Sequence, residues 1–434
     1  MNQRPHVRAV TCGLSFQPVC RQPAWHELRS NLTHGSRRPQ KHMSRNPILI
    51  TCPKGIPPFL KAEVSALGFP VLAEAVAGIL TEGTLEDTYR LNLFLRTGHR
   101  ILFQLKEFKA QNSDELYREI ISLAWEDYLD EQGYLCVTSS VENETIRDSR
   151  YASLKCKDAI VDRIKEKRGA RPDSGPERDR SVVHLYWKDD HGAVYLDTSG
   201  ESLSRRGYRK IPLAAPMQET LAAAVVLATG WKGEGNFLNP MCGSGTLAIE
   251  AALIGLKRPA GLLRSNFGFM HIKGYREAYW QEVREKAKQE AGKSLPGRII
   301  ATDISADAIE AAQKNATTAG VEQLIEFSVS DFADTPLPEG GGVMVMNPGY
   351  GERMGEVHQL EVTYKDIGDF FKHKCRGFTG YIFTGNPGLA KKVSLKPKRS
   401  IPFFNSGIEC RLLEYELYEG TRKVKKTKKD GSVC

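Results

Sequence analysis

The stretch that most constrains how this chain folds is an apolar run that ends in an Asn-Pro-Gly-Tyr turn. Residues 343–346 read Val-Met-Val-Met, a pattern that predicts a buried parallel strand. Asn347 and Pro348 follow at the carboxyl end of that strand, where open α/β sheets keep their ligands. Their amide and carbonyl oxygens can accept hydrogen bonds from an exocyclic amine, and Tyr350 can stack on the base that carries it. An ordinary turn is the alternative, so the interpretation depends on the chain upstream.

The second motif is a glycine loop that follows a short strand and opens a helix, Met241-Cys242-Gly243-Ser244-Gly245-Thr246. Backbone amides at the start of such a helix can hold a negative group. The spacing of Gly243, Gly245 and Ala248 also fits a dinucleotide fingerprint. The loop alone therefore does not distinguish between cofactors.

Acidic residues at later strand ends narrow the choice of cofactor. A nicotinamide site needs an acid about 20 residues after the glycines, yet residues 251–274 contain none. Asp303 ends the next predicted strand, where its carboxylate would accept from ribose hydroxyls; capping of the helix near Ser305 is the alternative. Asp331 follows the strand after that. It is placed to meet an adenine amine with Phe332 against the ring, or else to form a turn.

In chain order these motifs resemble those of class I S-adenosylmethionine-dependent methyltransferases. The resemblance implies a Rossmann-like α/β domain that binds S-adenosylmethionine, with contacts from Asn239, Cys242, Gly243, Ser244, Gly245, Thr246, Asp303, Asp331, Phe332 and Asn347. It assigns catalysis to Asn347, Pro348 and Tyr350. Their acceptors would draw the amine protons into the turn and free the nitrogen lone pair toward the methyl group, so that the main task is positioning.

Two smaller α+β units are predicted upstream of this domain. Strands are expected at 48–51, 71–76, 101–105, 134–139, 182–187 and 193–197. Helices are expected at 57–67, at 114–125 with Ser113 as N-cap, and in a long segment that ends at Gly169. A basic run then includes Arg205, Arg206, Tyr208 and Arg209, which suits phosphate contact with stacking, or a solvated linker.

Over residues 48–418 the chain resembles the bacterial THUMP-domain RNA methyltransferases that modify guanine N2 of large-subunit ribosomal RNA. The segments that carry the resemblance are 197–209, 215–222, 241–246, 249–252, 347–353 and 408–415. It implies a disordered basic leader at 1–45, a ferredoxin-like domain at 46–106, an RNA-binding THUMP domain at 107–200, a linker at 201–214, a class I methyltransferase domain at 215–420 and a basic tail at 421–434.

Two positions depart from the family pattern. Asn239 stands where the family usually has Asp, and Gly349 stands where it has a second Pro. Freezing the extra backbone freedom of Gly349 costs on the order of 1 kcal/mol. Neither change removes the groups that hold the amine, so activity is expected. Two alternatives remain open: an RNA-binding or assembly factor that has lost turnover, and an N6-adenine methyltransferase that uses the same turn.

The positive charge of the chain is concentrated at its two ends. The net charge is +9, but residues before Met43 carry +6 and residues after Gly420 carry +5, which leaves −2 for the body. RNA contact is therefore predicted only at local positions: Arg171, Arg205, Arg206, Tyr208, Arg209, Lys425 and Lys426. The expected partner is ribosomal RNA, naked or in an early large-subunit precursor. A monomer is favoured, although the sequence does not determine the oligomeric state.

Cysteine usage and the leader bear on the compartment. The nine cysteines are odd in number and lack a Cys-x-x-Cys pair. This argues against a zinc site or a disulfide framework and for a reducing compartment, so a cytoplasmic location without a metal is expected. No apolar run reaches membrane-spanning length, so no membrane contact is expected. The first 42 residues contain a single acid and are either an organellar transit peptide or a disordered leader.

Overall fold

The computed structural model describes residues 44–418, apart from 144–145, 147, 212, 214–215 and 351–353. The expected leader before Ser44, the tail with Lys425 and Lys426, and the end of the turn motif at 351–353 lie outside the described residues.

Eight strands form the first sheet, in the order β2-β3-β1-β4-β8-β7-β5-β6. They are β1 (Asn46–Thr51), β2 (Ala73–Ala75), β3 (Gly78–Gly83), β4 (Arg100–Lys109), β5 (Tyr134–Glu142), β6 (Asp173–Ser174), β7 (Ser181–Lys188) and β8 (His191–Asp197). The helices that accompany them are α1 (Pro57–Ala66), α2 (Asp87–Phe94), α3 (Ser113–Ile121) and α4 (Ser149–Arg168).

The strand β4 joins the two smaller units into one sheet. Ile101 pairs with Ile50 of β1, whereas Lys109 pairs with His191 of β8, and both ladders are antiparallel. The domain boundary predicted between residues 106 and 107 therefore lies inside a strand. Because β4 is hydrogen-bonded on both edges, one continuous backbone ladder runs through the ferredoxin-like and THUMP segments.

Seven strands form the second sheet, in the order β11-β10-β9-β12-β13-β15-β14. They are β9 (Asn236–Pro240), β10 (Ile299–Asp303), β11 (Ile325–Val329), β12 (Gly342–Met346), β13 (Phe378–Thr384), β14 (Arg399–Asn405) and β15 (Ile408–Glu416). The accompanying helices are α5 (Glu219–Ala228), α6 (Thr246–Gly255), α7 (Glu277–Glu290), α8 (Ala306–Ala319), α9 (Met354–His373) and α10 (Pro387–Lys392).

The strand order of the second sheet reverses between β9 and β12. The chain runs outward from β9 through β10 to β11, then returns to the other side of β9 with β12 and β13, all five being parallel. Ligand crevices in open α/β sheets open at such a reversal, at the carboxyl ends of the strands. The predicted Rossmann-like α/β fold is confirmed.

Two local predictions in the first sheet are wrong. Asn112, not Ser113, caps α3, because its Oδ1 accepts from the backbone amides of Asp114 and Glu115 at 3.1 and 3.0 Å. The strand expected at 71–76 shrinks to β2, and the longer strand β3 beside it was not predicted. β3 begins and ends at glycine, so its short apolar run carries little strand signal.

No described helix is long and apolar enough to cross a membrane. Within the described ranges, no group of three or more His, Cys, Asp and Glu side chains could hold a metal ion. The described cysteines are all free thiols in buried positions: Cys52, Cys136, Cys156, Cys242, Cys375 and Cys410.

Candidate active site

A cavity of about 890 Å³ opens at the carboxyl ends of β9, β10 and β12. We refer to it as the strand-end cavity. Its volume lies within the range of about 300–1,000 Å³ that is typical of small-molecule sites. It brings together most of the residues predicted to bind cofactor or to act in catalysis: Cys242, Gly243, Ser244, Thr246, Asp303, Asp331, Phe332, Asn347, Pro348 and Tyr350.

The glycine loop crosses the end of the cavity in a conformation that glycine permits. Gly243 and Gly245 have φ of 54° and 78°, and Met241 is also left-handed at 57°. A Cβ added to Gly245 would lie 2.9 Å from the Cβ of Ala312 on α8. The absence of a side chain therefore lets the start of α6 pack against α8, with Thr246 at the cavity wall.

Asp303 ties the end of β10 to this loop. Its Oδ2 accepts from the backbone amide of Gly243 at 2.9 Å, and its Oδ1 accepts from the amide of Ser305 at 3.0 Å. The N-cap of α8 is the Ser305 hydroxyl, which accepts from the amide of Ala308 at 3.2 Å. Asp303 is therefore not the helix cap. Its carboxylate lines the cavity. The role of ribose acceptor stays a prediction.

Asp331 and Phe332 form the next part of the wall. The Asp331 side chain accepts from the amide of Ala333 at 2.8 Å and remains exposed, which leaves acceptor capacity toward the cavity. The Phe332 ring meets Phe370 of α9 edge to face, with centroids 5.8 Å apart. This contact holds Phe332 beside the cavity, and its packing against an adenine stays a prediction.

Asn347 places an unpaired acceptor at the end of β12. Its Oδ1 is buried and has no hydrogen-bond partner among the described residues. A buried polar atom left without a partner costs about 1–3 kcal/mol. Pro348 beside it is buried as well. A ligand that donates hydrogen bonds at this point would satisfy the Asn347 oxygen.

The side chain of Tyr350 is oriented by residues far away in sequence. Asn405, at the end of β14, donates from Nδ2 to the Tyr350 hydroxyl at 2.8 Å. Asn386 Nδ2 lies 3.5 Å from the Tyr350 carbonyl. Tyr350 follows the exposed Gly349, which stands where the family pattern has a second proline. The two contacts of Tyr350 therefore restrict a turn that lacks the rigidity of that proline.

Several lining residues were not predicted. They come from the entry to α5, from α9 and from the turn between β14 and β15: Leu213, Pro216, Met217, Gln359, Thr363, Asn405, Ser406 and Ile408. The Asn405-Ser406-Gly407 turn between two apolar runs was the one recognisable signal. Pro216 and Met217 lie just before α5, Gln359 and Thr363 lie on α9, and Ile408 begins β15. None of these local patterns marks a binding site by itself.

Asn239 does not lie where the resemblance placed it. Its side chain is fully buried and is absent from the cavity lining. Nδ2 donates to the carbonyl of Val345 at 2.9 Å, so Asn239 links β9 to β12, and its Oδ1 has no partner within the described chain. The geometry gives Asn239 a structural role behind the wall rather than direct cofactor contact.

The prediction that Arg206 and Tyr208 bind RNA is contradicted by their burial. They are 2% and 1% exposed. Arg206 Nε donates to the Glu250 carboxylate of α6 at 2.7 Å, and its Nη2 donates to the Arg96 carbonyl at 2.6 Å. The Tyr208 hydroxyl donates to the same Glu250 oxygen at 3.1 Å, and burial followed by the Glu250 charge raises the pKa of Tyr208. The basic run at 205–209 therefore connects the first unit, through Arg96, to α6 of the second.

Arg209 is also turned inward, whereas Arg205 and Arg171 are exposed. Arg209 Nη2 donates to the Met217 carbonyl at 2.6 Å and to the Thr246 hydroxyl at 3.2 Å, which rules out free phosphate contact at that nitrogen. Arg205 has a side chain that is 78% exposed and pairs with Glu201 at 3.1 Å. Arg205 and Arg171 therefore remain as predicted RNA contacts.

Family models match three successive segments of the chain. The RlmL ferredoxin-like domain matches residues 47–102, the THUMP domain matches 110–197, and the RMKL-like methyltransferase domain matches 206–414. A Synechocystis protein named as an RNA methyltransferase is 32% identical over 372 residues, which cover 86% of this chain and 97% of that protein. The chain belongs to the RMKL-like, THUMP-domain methyltransferases. The resemblance to THUMP-domain, class I methyltransferases is confirmed.

Other relatives of this RMKL-like methyltransferase are longer. The ribosomal RNA large subunit methyltransferase K/L of Syntrophotalea carbinolica is 38% identical over 379 residues, which cover 85% of this chain and 53% of the relative. The chain thus spans about half the length of the curated relatives of that name. Among solved structures, a protein named as a methyltransferase and crystallised with SAH is 27% identical, with a TM-score of 0.78 and coverage of 87% of this chain and 99% of that chain.

Proposed function

We propose that this chain transfers a methyl group from S-adenosylmethionine to an exocyclic amine of RNA. The proposed amine is N2 of a guanine in large-subunit ribosomal RNA. The observation that carries the proposal is the buried, unpartnered Oδ1 of Asn347 in a cavity shared with the glycine loop and Asp303. An acceptor in that position suits an amine donor. Names of relatives that refer to ribosomal RNA methyltransferases support the substrate class.

The residues present fit S-adenosylmethionine. The amides at the start of α6 would hold its carboxylate end, Asp303 would accept from ribose hydroxyls, and Asp331 with Phe332 would supply an acceptor and a ring for adenine. The solved relative that holds SAH supports this cofactor. When bound, it supplies an electrophilic methyl group on a sulfonium.

The chain's own residues position the amine. Asn347 Oδ1 and the Pro348 carbonyl accept hydrogen bonds from its two N–H groups, so that the nitrogen lone pair faces the methyl group. Tyr350, held by Asn405, stacks on the base after it has left its neighbours in the RNA. No strongly basic side chain is required, because the methylated amine is acidic enough to lose a proton to water afterwards.

The test is methyl transfer to RNA followed by identification of the product. Wild-type protein with labelled S-adenosylmethionine and ribosomal RNA from a strain that lacks this gene should yield N2-methylguanosine after nuclease digestion and mass spectrometry. Asn347→Ala protein serves as the matched control. N6-methyladenosine as the product would replace guanine by adenine as the target. Binding of RNA and cofactor without transfer would favour the assembly-factor alternative.

A further inference from the structure

A second cavity, of about 590 Å³, lies beside the strand-end cavity. We refer to it as the α10 slot. One wall is formed by α10 and the residues after it, and the other by β15; the lining includes Ala390, Lys391, Leu395, Arg411, Leu413 and Tyr415. Ile408 lines both cavities. Gly385, at the edge of the slot, packs so closely on the Tyr350 ring that an added Cβ would approach it to 3.2 Å. The two cavities therefore share a wall at the catalytic turn.

The interior of the slot combines apolar walls with one unsatisfied hydroxyl. Leu395 and Leu413 contribute aliphatic surface. Tyr415 is 2% exposed, and its hydroxyl has no hydrogen-bond partner among the described residues. Burial raises the pKa of Tyr415 to about 12, so the hydroxyl keeps its proton and can both donate and accept. A flat ligand with a polar edge would bury its faces and satisfy this group.

Two cations at the rim of the slot have no counter-ion among the described residues, and a third is paired with Glu409 of the lining. Lys391 is exposed and forms no ion pair within the described chain, and the same holds for Lys396, which lies between Leu395 and Pro397 of the lining. Arg411 is bonded to Glu409 at 2.8 Å and leaves its guanidinium plane partly exposed. Free ammonium groups beside an apolar slot suit a phosphate attached to a flat ring.

We infer that the α10 slot binds the base of a nucleotide next to the methylated one in the RNA strand, with the adjoining phosphate at Lys391. The inference rests on the proposed function. When the target base leaves its stack to enter the strand-end cavity, the nucleotide beside it also loses a stacking partner. The slot offers that base apolar faces, the Tyr415 hydroxyl at its edge and cations for its backbone.

The experiment measures RNA KM, kcat and S-adenosylmethionine affinity on unmethylated transcripts of 23S ribosomal RNA. Leu395→Trp fills the slot, Tyr415→Phe removes only the hydroxyl, and Lys391→Ala removes the unpaired cation that lines the slot. The control is Lys392→Ala, since Lys392 pairs with Glu361 at 3.0 Å and does not line the slot. We expect at least a fivefold rise in RNA KM for Leu395→Trp, a smaller rise for the other two slot variants, kcat within twofold, and unchanged cofactor affinity.

A second measurement distinguishes base binding from a general effect on the fold. Transcripts carry an abasic nucleotide on one side of the methylated position or the other. Wild-type protein should show a raised KM on one of them, and Leu395→Trp should raise that KM no further. The inference would be overturned if all slot variants kept the wild-type KM for RNA. It would also be overturned if Leu395→Trp raised the KM for the abasic transcript further above the wild-type value. Neither result would affect the proposed function, provided that the wild-type protein transfers the methyl group. Absence of transfer by the wild-type protein would overturn the proposed function as well.

Discussion

At the end of β12 lie the acceptor and the ring on which the proposed chemistry depends. Asn347 keeps a buried oxygen without a partner, and Tyr350 keeps its ring in place through a hydrogen bond from Asn405. Both groups can be removed by substitutions that leave the backbone of the turn in place. The catalytic roles predicted for them are therefore open to direct tests.

Asn347→Ala should lower turnover by about 10²-fold or more, the usual effect of deleting one positioned polar group in an active site. Cofactor affinity should stay within a few-fold, because the glycine loop and Asp303 are untouched. Single-turnover methyl transfer and calorimetric cofactor binding measure the two effects. Turnover near that of the wild type would remove Asn347 from catalysis.

Asn405→Ala and Tyr350→Phe should lower kcat by similar amounts, about 3- to 10-fold, because each removes the same hydrogen bond of about 1 kcal/mol. The double variant should be no slower than the worse single variant, since the pair acts as one unit. Steady-state kinetics on all three proteins measure the coupling. Multiplicative losses would show that Asn405 acts independently of Tyr350.

At the scale of single elements, the start of α6 forms one wall of the strand-end cavity. Its first turn begins directly after Gly245, whose left-handed backbone and missing side chain allow close packing on α8. Strain at that point is transmitted to Thr246 and to the glycine-loop amides, because they belong to the same turn. A substitution there should affect stability and cofactor binding together.

Gly245→Ala should cost more stability than Gly235→Ala. Both positions have positive φ, 78° and 71°, and a left-handed alanine costs about 1–2 kcal/mol at either. Only Gly245 adds a contact, 2.9 Å from Ala312, and overpacking adds about 1–3 kcal/mol. Urea unfolding measures the difference. Equal losses of stability in the two variants would show that α8 moves to make room for the alanine side chain.

At the scale of the whole molecule, a buried polar and aromatic interface joins the two sheets. Arg206 bridges Arg96 of the first unit and Glu250 of the second. Nearby, Tyr89 of α2 stacks on Phe269 with centroids 4.3 Å apart. The THUMP-domain segment and the strand-end cavity are thus held in one arrangement.

Arg206→Ala should destabilise the protein by about 3–5 kcal/mol, since it leaves the Glu250 carboxylate buried without its partner. Arg205→Ala, one residue away and exposed, should leave stability nearly unchanged. It should instead reduce the slope of log RNA affinity against log salt by about 0.7–0.9, the contribution of one phosphate contact. Chemical denaturation and filter binding across a salt series measure both effects. A loss of stability for Arg205→Ala and a reduced salt slope for Arg206→Ala would contradict the role of Arg206 in the interface.

His99 should make stability pH-dependent. Burial, followed by the charges of Arg100 and Arg206, lowers the pKa of His99 to about 4, and its Nε2 lies 2.8 Å from the Thr220 hydroxyl of α5. The unfolded chain takes up this proton near pH 6.5 and the folded chain only near 4, so this contribution to the free energy of unfolding falls as pH drops through that window.

His99→Gln should therefore flatten the fall in stability between pH 6.5 and 4 and leave the profile above pH 7 parallel to that of the wild type. Urea unfolding at a series of pH values gives the difference directly. Parallel profiles throughout would show that His99 is protonated alike in both states.

Local patterns in the sequence were sufficient for the fold class and for the strand-end residues. The run before Asn347, the glycines around Ser244 and the acid at Asp303 each belong to a strand end or to the turn after it. Parallel strands place all their carboxyl ends on one edge of a sheet, so residues that are distant in sequence meet there without further information.

Tertiary structure alone decided which polar residues face the ligand and which hold the fold. Arg206 reads as a phosphate contact until it meets Glu250, 44 residues along the chain, and Asn405 shows no link to Tyr350, 55 residues away. A charged side chain can be buried only where other elements supply a counter-charge or hydrogen-bond partners. That pairing depends on the docking of the two sheets, which no local periodicity records.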